Sequence, residues 1–227
     1  MQIKHINLPR FFQPYSCTDL IRLGRNNDGG YIVNKSDVVK TKTLLGFGIL
    51  DDYSFEEDFV NIANCKCKTY DASSNKFKIN ENHKHYQKFV TEHSVNGTVA
   101  LSEIMNKNPI GTFIKCDIEG GEYQLLDTII NVSENLTGFV VEFHDVDYTA
   151  NLFAIMNFIS KFELKLVHTH INNCSGVAVM DNYHIPQVLE LSFTSSKNIA
   201  LDRGLTSPHA LDMPNESTND DYSVTYI

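Results

Sequence analysis

Apolar residues in this chain gather in short unbroken runs, and between those runs they recur at helical spacing. Residues 43–49, 67–72, 88–90, 113–117, 138–145 and 164–167 read as strands, most of them buried. Residues 185–193 alternate apolar and polar in the manner of a last, antiparallel strand. Ser54-Phe55-Glu56-Glu57 opens a helix with a capping-box pattern, Ser54 to Glu57. Further helices are predicted over 101–107, from Tyr123 through Leu126, Ile129 and Ile130 to about Asn131, and over 151–162. In the last of these Leu152, Ile155, Met156, Ile159 and Phe162 form a stripe that reads as core. Asp28-Gly29-Gly30 ahead of Tyr31-Ile32-Val33 signals the turn of an edge hairpin. Strands and helices alternate throughout, so an open α/β sheet is the economical fold. The expected organisation is one domain over 1–227, with a lead-in over 1–40, the core sheet over 41–197 and an ordered tail over 198–227.

Composition narrows the function classes. A formal net charge of -9 argues against a general nucleic-acid or anionic-membrane surface. No apolar run approaches a membrane span, and the first twelve residues lack the apolar centre of a secretion signal. Five scattered cysteines with no C-x-x-C spacing suit a reducing, cytoplasmic setting. The polar stretch 74–100 reads as surface, and its His83/His85 pair as solvated rather than as a metal clip.

Candidate chemistry sits where strands end. Lys115-Cys116-Asp117-Ile118-Glu119-Gly120-Gly121-Glu122 takes a buried strand through a tight turn into a helix. In an open parallel sheet that turn lies at the carboxyl ends of the strands, where ligands bind. Asp117 and Glu119 either project into a site or cap the helix, and acids there need hydrogen bonds, a cation or a ligand to offset their burial. Gly46-Phe47-Gly48 lets a nucleotide-type ligand approach the backbone, although Leu50 holds the third position of a full G-x-G-x-G. Asp71, ending the next strand, is placed to accept hydrogen bonds from ribose hydroxyls. Glu142 and His144 share a face by period-two geometry. With Asp117 and His170 they make a mixed carboxylate and imidazole set suited to a divalent Mg, Mn or Fe ion.

Taken in order, Gly46-Phe47-Gly48, Asp71, Lys115 to Glu122, Val141-Glu142-Phe143-His144, His170-Ile171-Asn172-Asn173, Ile185 to Leu191 and Leu211 to Asn215 resemble the FkbM-type methyltransferases. The resemblance implies a Rossmann-like class I fold, with a seven-stranded, mostly parallel sheet, an antiparallel last strand and helices on both faces. It implies S-adenosylmethionine as methyl donor and, often, O-methylation of a sugar or a polyketide. A nucleotide-linked sugar or a capsule or lipopolysaccharide precursor is the acceptor it suggests. Carried onto this chain, Gly46 and Gly48 lie beneath the donor's methionine and ribose portion and Asp71 binds the ribose. Arg22, Asp28 and Gly30 close over its amino-acid end, and Asp117 and Glu119 sit beside the methyl group or the acceptor.

A sugar hydroxyl needs a general base or a metal that lowers its pKa. His144 or His170 is the base in the metal-free version, and Asn172 and Asn173 bind acceptor hydroxyls or shape a turn. Two rivals stand beside this reading. One is a metal-dependent hydrolase built on Asp117, Glu142 and His144; the other is a nucleoside-binding module without catalysis.

Overall fold

The computed structural model of the protein describes residues 5–108, 110–202, 205 and 207–227. Its central sheet has seven strands: β1 (Thr43–Phe47), β2 (Lys66–Tyr70), β3 (His83–Tyr86), β4 (Thr112–Cys116), β5 (Leu136–Phe143), β6 (Lys165–Ile171) and β7 (Leu189–Thr194). Their spatial order is β6-β7-β5-β4-β1-β2-β3. All neighbours are parallel except β7, which runs antiparallel to both β5 and β6. This is the Rossmann-like methyltransferase fold. Strand order reverses between β1 and β4, so the chain leaves these two strands in opposite directions and opens a crevice at their carboxyl ends.

Among the described residues five α-helices flank the sheet: α1 (Lys35–Lys40), α2 (Ser54–Ala63), α3 (Leu101–Asn106), α4 (Leu126–Asn131) and α5 (Thr149–Lys161). Every residue of β1, β4 and β5 is buried, which is why these strands read as continuous apolar runs. Alternate residues serve opposite faces. Leu44, Phe113 and Val140 pack with Val38 of α1, Phe55 and Phe59 of α2, and the hairpin Leu20–Leu23/Tyr31–Asn34. Leu45, Ile114 and Val141 pack with Ile104 of α3, Ile129 of α4 and Phe158 of α5.

Four local expectations change. The third strand of the series is β3 rather than 88–90; Phe89–Thr91 pairs instead with Thr98–Ala100 in a separate two-stranded piece. β3 escapes a hydropathy reading because its side chains are His83-Lys84-His85-Tyr86. His83 is buried, and Thr69 Oγ1 bonds both His83 Nε2 and His85 Nδ1 at 2.9 Å. Burial, with His85 nearby, depresses His83 to about 4, so it stays neutral as a structural hydrogen-bonding group. The capping box does not form: Asp52 Oδ1 accepts from Ser54 N at 3.0 Å, while Ser54 Oγ accepts from Arg25 N at 2.9 Å. On α5 the fully buried positions are Ile155 and Phe158, and Met156 is 40% exposed rather than core.

The last described segment is tied into the body. Ser223–Tyr226 pairs in parallel with His5–Leu8, and Asp212 Oδ1 lies 2.8 Å from His168 Nε2 of β6.

Candidate active site

A cleft of ≈ 290 Å³ opens over the carboxyl ends of β1, β2 and β4. Gly48, Leu50, Tyr70, Asp71, Lys115, Asp117 and Glu119 line it, with Asp28 and Gly29 of the hairpin turn at its rim. Gly48 has φ +74°, and a Cβ there would collide with the carbonyl oxygen of Asp117. Strand crossover and turn therefore meet backbone to backbone, which only glycine permits. Leu50 adopts φ +47° at the position where a third glycine was expected.

Asp71 is the anchor of that turn. Its Oδ2 accepts from Ile49 N at 2.9 Å and Leu50 N at 2.7 Å. Its Oδ1 accepts from Ser73 N at 2.7 Å, Ser73 Oγ at 2.6 Å and Ser74 N at 3.3 Å. Burial alone would raise this carboxyl, but the bonds from Ser73, Leu50 and Ile49 outweigh it and hold it at about 2. Both oxygens are committed to the protein, so a ribose contact would have to replace one of the Ser73 bonds.

The second feature lies against the same wall. Asp117, Glu119 and His144 offer ligand atoms within 4.8 Å of one another. Glu122, buried below them, organises the turn: its Oε1 accepts from Ile118 N at 3.0 Å and Gly120 N at 3.1 Å, and lies 3.1 Å from His144 Nδ1. His144 Nε2 is thereby aimed at Glu119 Oε2, 3.5 Å away, and at Glu142 Oε1, 3.8 Å away. Burial works against charge on His144, but Glu122, Glu142 and Asp117 together raise it to about 9. These carboxylates favour the protonated imidazole.

Beneath the trio runs a ladder of polar groups on one sheet face. Tyr31 of the hairpin donates to Asp117 Oδ2 at 3.0 Å and Glu142 Oε2 at 3.3 Å. Lys115 Nζ donates to Gly48 O at 2.6 Å and lies 3.4 Å from Asp117 Oδ2. Burial would lower this lysine, but Asp117, Glu56 and Glu142 raise it, so the ammonium stays charged. Glu142 faces Glu190 across β5 and β7, and Glu190 faces His170 across β7 and β6. Desolvation first, then Asp117 and Glu190, push Glu142 well above the usual carboxylate range.

With this geometry in hand, comparison with known proteins gives only distant matches. No family model matches the chain, and no curated protein matches it. Among solved structures it is similar to the precorrin-6y C5,15-methyltransferase of Geobacter metallireducens, at 11% identity and TM-score 0.41, over 71% of this chain and 86% of that one. It is similar to a Streptococcus mutans protein assigned as a methyltransferase and solved with SAH, at 10% identity and TM-score 0.37, over 70% of this chain and 93% of that one. It is also similar to the Methanococcus jannaschii fibrillarin pre-rRNA processing protein, at 12% identity and TM-score 0.41, over 79% and 86%. At these values no residue role passes from them to this chain. The FkbM-type resemblance rests on the motifs alone.

Several residues predicted for the site lie elsewhere. Gly46 does not line the cleft; it faces α2, where a Cβ would come within 2.5 Å of Glu56 Oε1. Arg22 and Gly30 also stay outside the lining, and Arg22 Nη2 secures the hairpin turn through Asn27 O at 2.7 Å. His170 lies 3.3 Å from both Glu190 and Asp221. Burial opposes its charge, but Glu190, Asp221 and Asp212 raise it well above the usual histidine range. Asn172 Nδ2 donates to Glu142 Oε1 at 3.2 Å, and Asn173 Nδ2 to Glu216 O at 3.2 Å and Asn219 O at 3.1 Å. These amides brace the interior and the C-terminal segment. Glu142 and His170 fall outside the metal-competent trio, and Glu119 enters it.

Sequence reasoning missed Glu56, Lys115 and Arg25 in the cleft wall, and Glu122 beneath the trio. Lys115 carried a signal, since a lysine inside an otherwise apolar strand needs a partner. Glu56 did not, because its position in the first turn of a helix already explains an acid.

Proposed function

We propose that the protein is an S-adenosylmethionine-dependent methyltransferase of FkbM type that methylates a hydroxyl group of a sugar. The observation that carries the reading is shared geometry: Asp117 and Glu119 line the cleft over the glycine turn and also belong to the trio with His144. A donor bound in the cleft and an acceptor held at the trio would meet along one wall. Gly48 lines the cleft, and the carboxylates of Asp28, Asp117 and Glu119 at the mouth are acceptors for hydroxyl groups.

The donor supplies an already activated methyl on sulfonium, and the chain's task is to align it with the acceptor oxygen, an effect worth roughly 7–11 kcal/mol in favourable systems. The trio fits a divalent ion: two carboxylates and one imidazole, with Glu122 orienting the ring through Nδ1. Such an ion would lower the pKa of a hydroxyl bound to it. Without an ion, Asp117, Glu119 and His144 are the candidate proton acceptors.

Incubation with methyl-labelled S-adenosylmethionine and a panel of nucleotide-linked sugars, with Mg or Mn and with a chelator, tests the acceptor class. Label in a sugar ether, lost in Asp117→Asn, is the expected result. Label in none of the sugars, with a protein that binds the donor, would move the acceptor to another class.

A further inference from the structure

Glu56 is a buried carboxylate whose nearest N–H is its own backbone's, too poorly placed for a hydrogen bond. It sits in the first turn of α2 and is 1% exposed, and among the described residues neither of its side-chain oxygens has a hydrogen-bond partner. Its nearest cation does not supply one: Lys115 Nζ spends its bonds on Gly48 O and Asp117. Asp52 beside it has Arg25 Nε at 3.0 Å. Gly46 leaves the room that the carboxylate occupies, since any side chain there would take its place. Glu56 is nevertheless part of the cleft wall, next to Gly48, Ile49 and Asp52.

A buried carboxylate with no donor is strongly unfavourable, and native interiors leave such groups only where something else satisfies them. Burial drives Glu56 up to about 7, with Lys115 opposing. An arriving group that carries positive charge and N–H donors answers both deficits. Neutral ribose and adenine lack the charge, a carboxylate would be repelled, and a sulfonium has no donor hydrogen.

We propose that Glu56 receives a primary ammonium group of the bound ligand, which is the α-ammonium of the donor's methionine moiety. This rests on the methyltransferase reading above. The glycine at position 46 is then required for the receptor carboxylate rather than for contact with the ligand.

Calorimetric titration with S-adenosylhomocysteine and with 5′-methylthioadenosine, which lacks the amino-acid end, tests the assignment on wild type and Glu56→Gln. The expected result is a loss of about 10–100-fold in S-adenosylhomocysteine affinity in the variant, as for a charge-assisted bond. Affinity for 5′-methylthioadenosine should stay within about twofold. The unliganded variant should melt no lower than wild type, because the amide relieves a buried charge. Equal losses for both ligands, or no loss for either, would overturn the assignment while leaving the methyltransferase reading in place. Failure of wild type to bind either ligand would overturn that reading and this one with it. Should Glu56→Gln not fold, the wild type decides: a desamino analogue of S-adenosylhomocysteine must bind at least about tenfold more weakly, and equal binding is contrary.

Discussion

Asp71 shows how one side chain holds a turn together. Its oxygens take five hydrogen bonds, two of them from the backbone of the glycine turn. Asp71→Ala takes the acceptor from the buried N–H of Ile49 and the part-buried N–H of Leu50, so it should destabilise the fold by about 2 kcal/mol. Chemical denaturation measures this, and the pH dependence gives its signature. The carboxyl titrates at about 2 in the folded protein, below its ordinary value of 3.8. Its contribution is therefore complete above about pH 4 and disappears as pH falls towards 2. The gap between wild type and variant should close over that window; a gap independent of pH would contradict the account. The ribose role expected for this residue was legible as a position but not as a bonding state. Nothing in the sequence says that Ser73 and the turn amides consume the lone pairs.

At the scale of elements, the sequence reveals what depends on unbroken apolar runs. β1, β4 and β5 are buried on both faces, and the antiparallel β7 announces itself by its alternation. β3 was hidden because histidines can be structural once a neighbour such as Thr69 bonds them. The trio was half legible: period two places Glu142 beside His144, but tertiary packing turns Glu142 to Tyr31 and Asn172 and leaves its place to Glu119. The turn after β1 supplies the element-scale prediction. Leu50 is 68% exposed, so its side chain contributes little packing, yet it sits at φ +47°. A left-handed L-residue costs roughly 1–2 kcal/mol, and glycine forfeits about 0.5–1 kcal/mol of that through chain entropy. Leu50→Gly should raise the melting temperature by about 2 °C. A lower melting temperature would mean that Leu50 packs against something the turn needs.

Across the whole molecule, the hairpin and the C-terminal segment close the same face of the sheet. Asn215 Nδ2 reaches Glu190 Oε1 at 2.8 Å and Asp28 Oδ1 at 3.2 Å, and Asn27 Nδ2 donates to Pro214 O at 2.8 Å. Glu190 of β7 is thus covered from outside, while Asp117 and Glu119, in the turn after β4, are left facing the cleft. Among the described residues no helix is long and apolar enough to cross a membrane, and all five cysteines are free. What decides the account is whether the cleft is the donor site. Hydrogen–deuterium exchange with and without S-adenosylhomocysteine tests this most directly. Protection is expected in peptides covering 46–52, 70–74 and 115–121, with the exterior of α5 unchanged. No change anywhere, or protection confined to segments remote from the β1/β4 crevice, would contradict it.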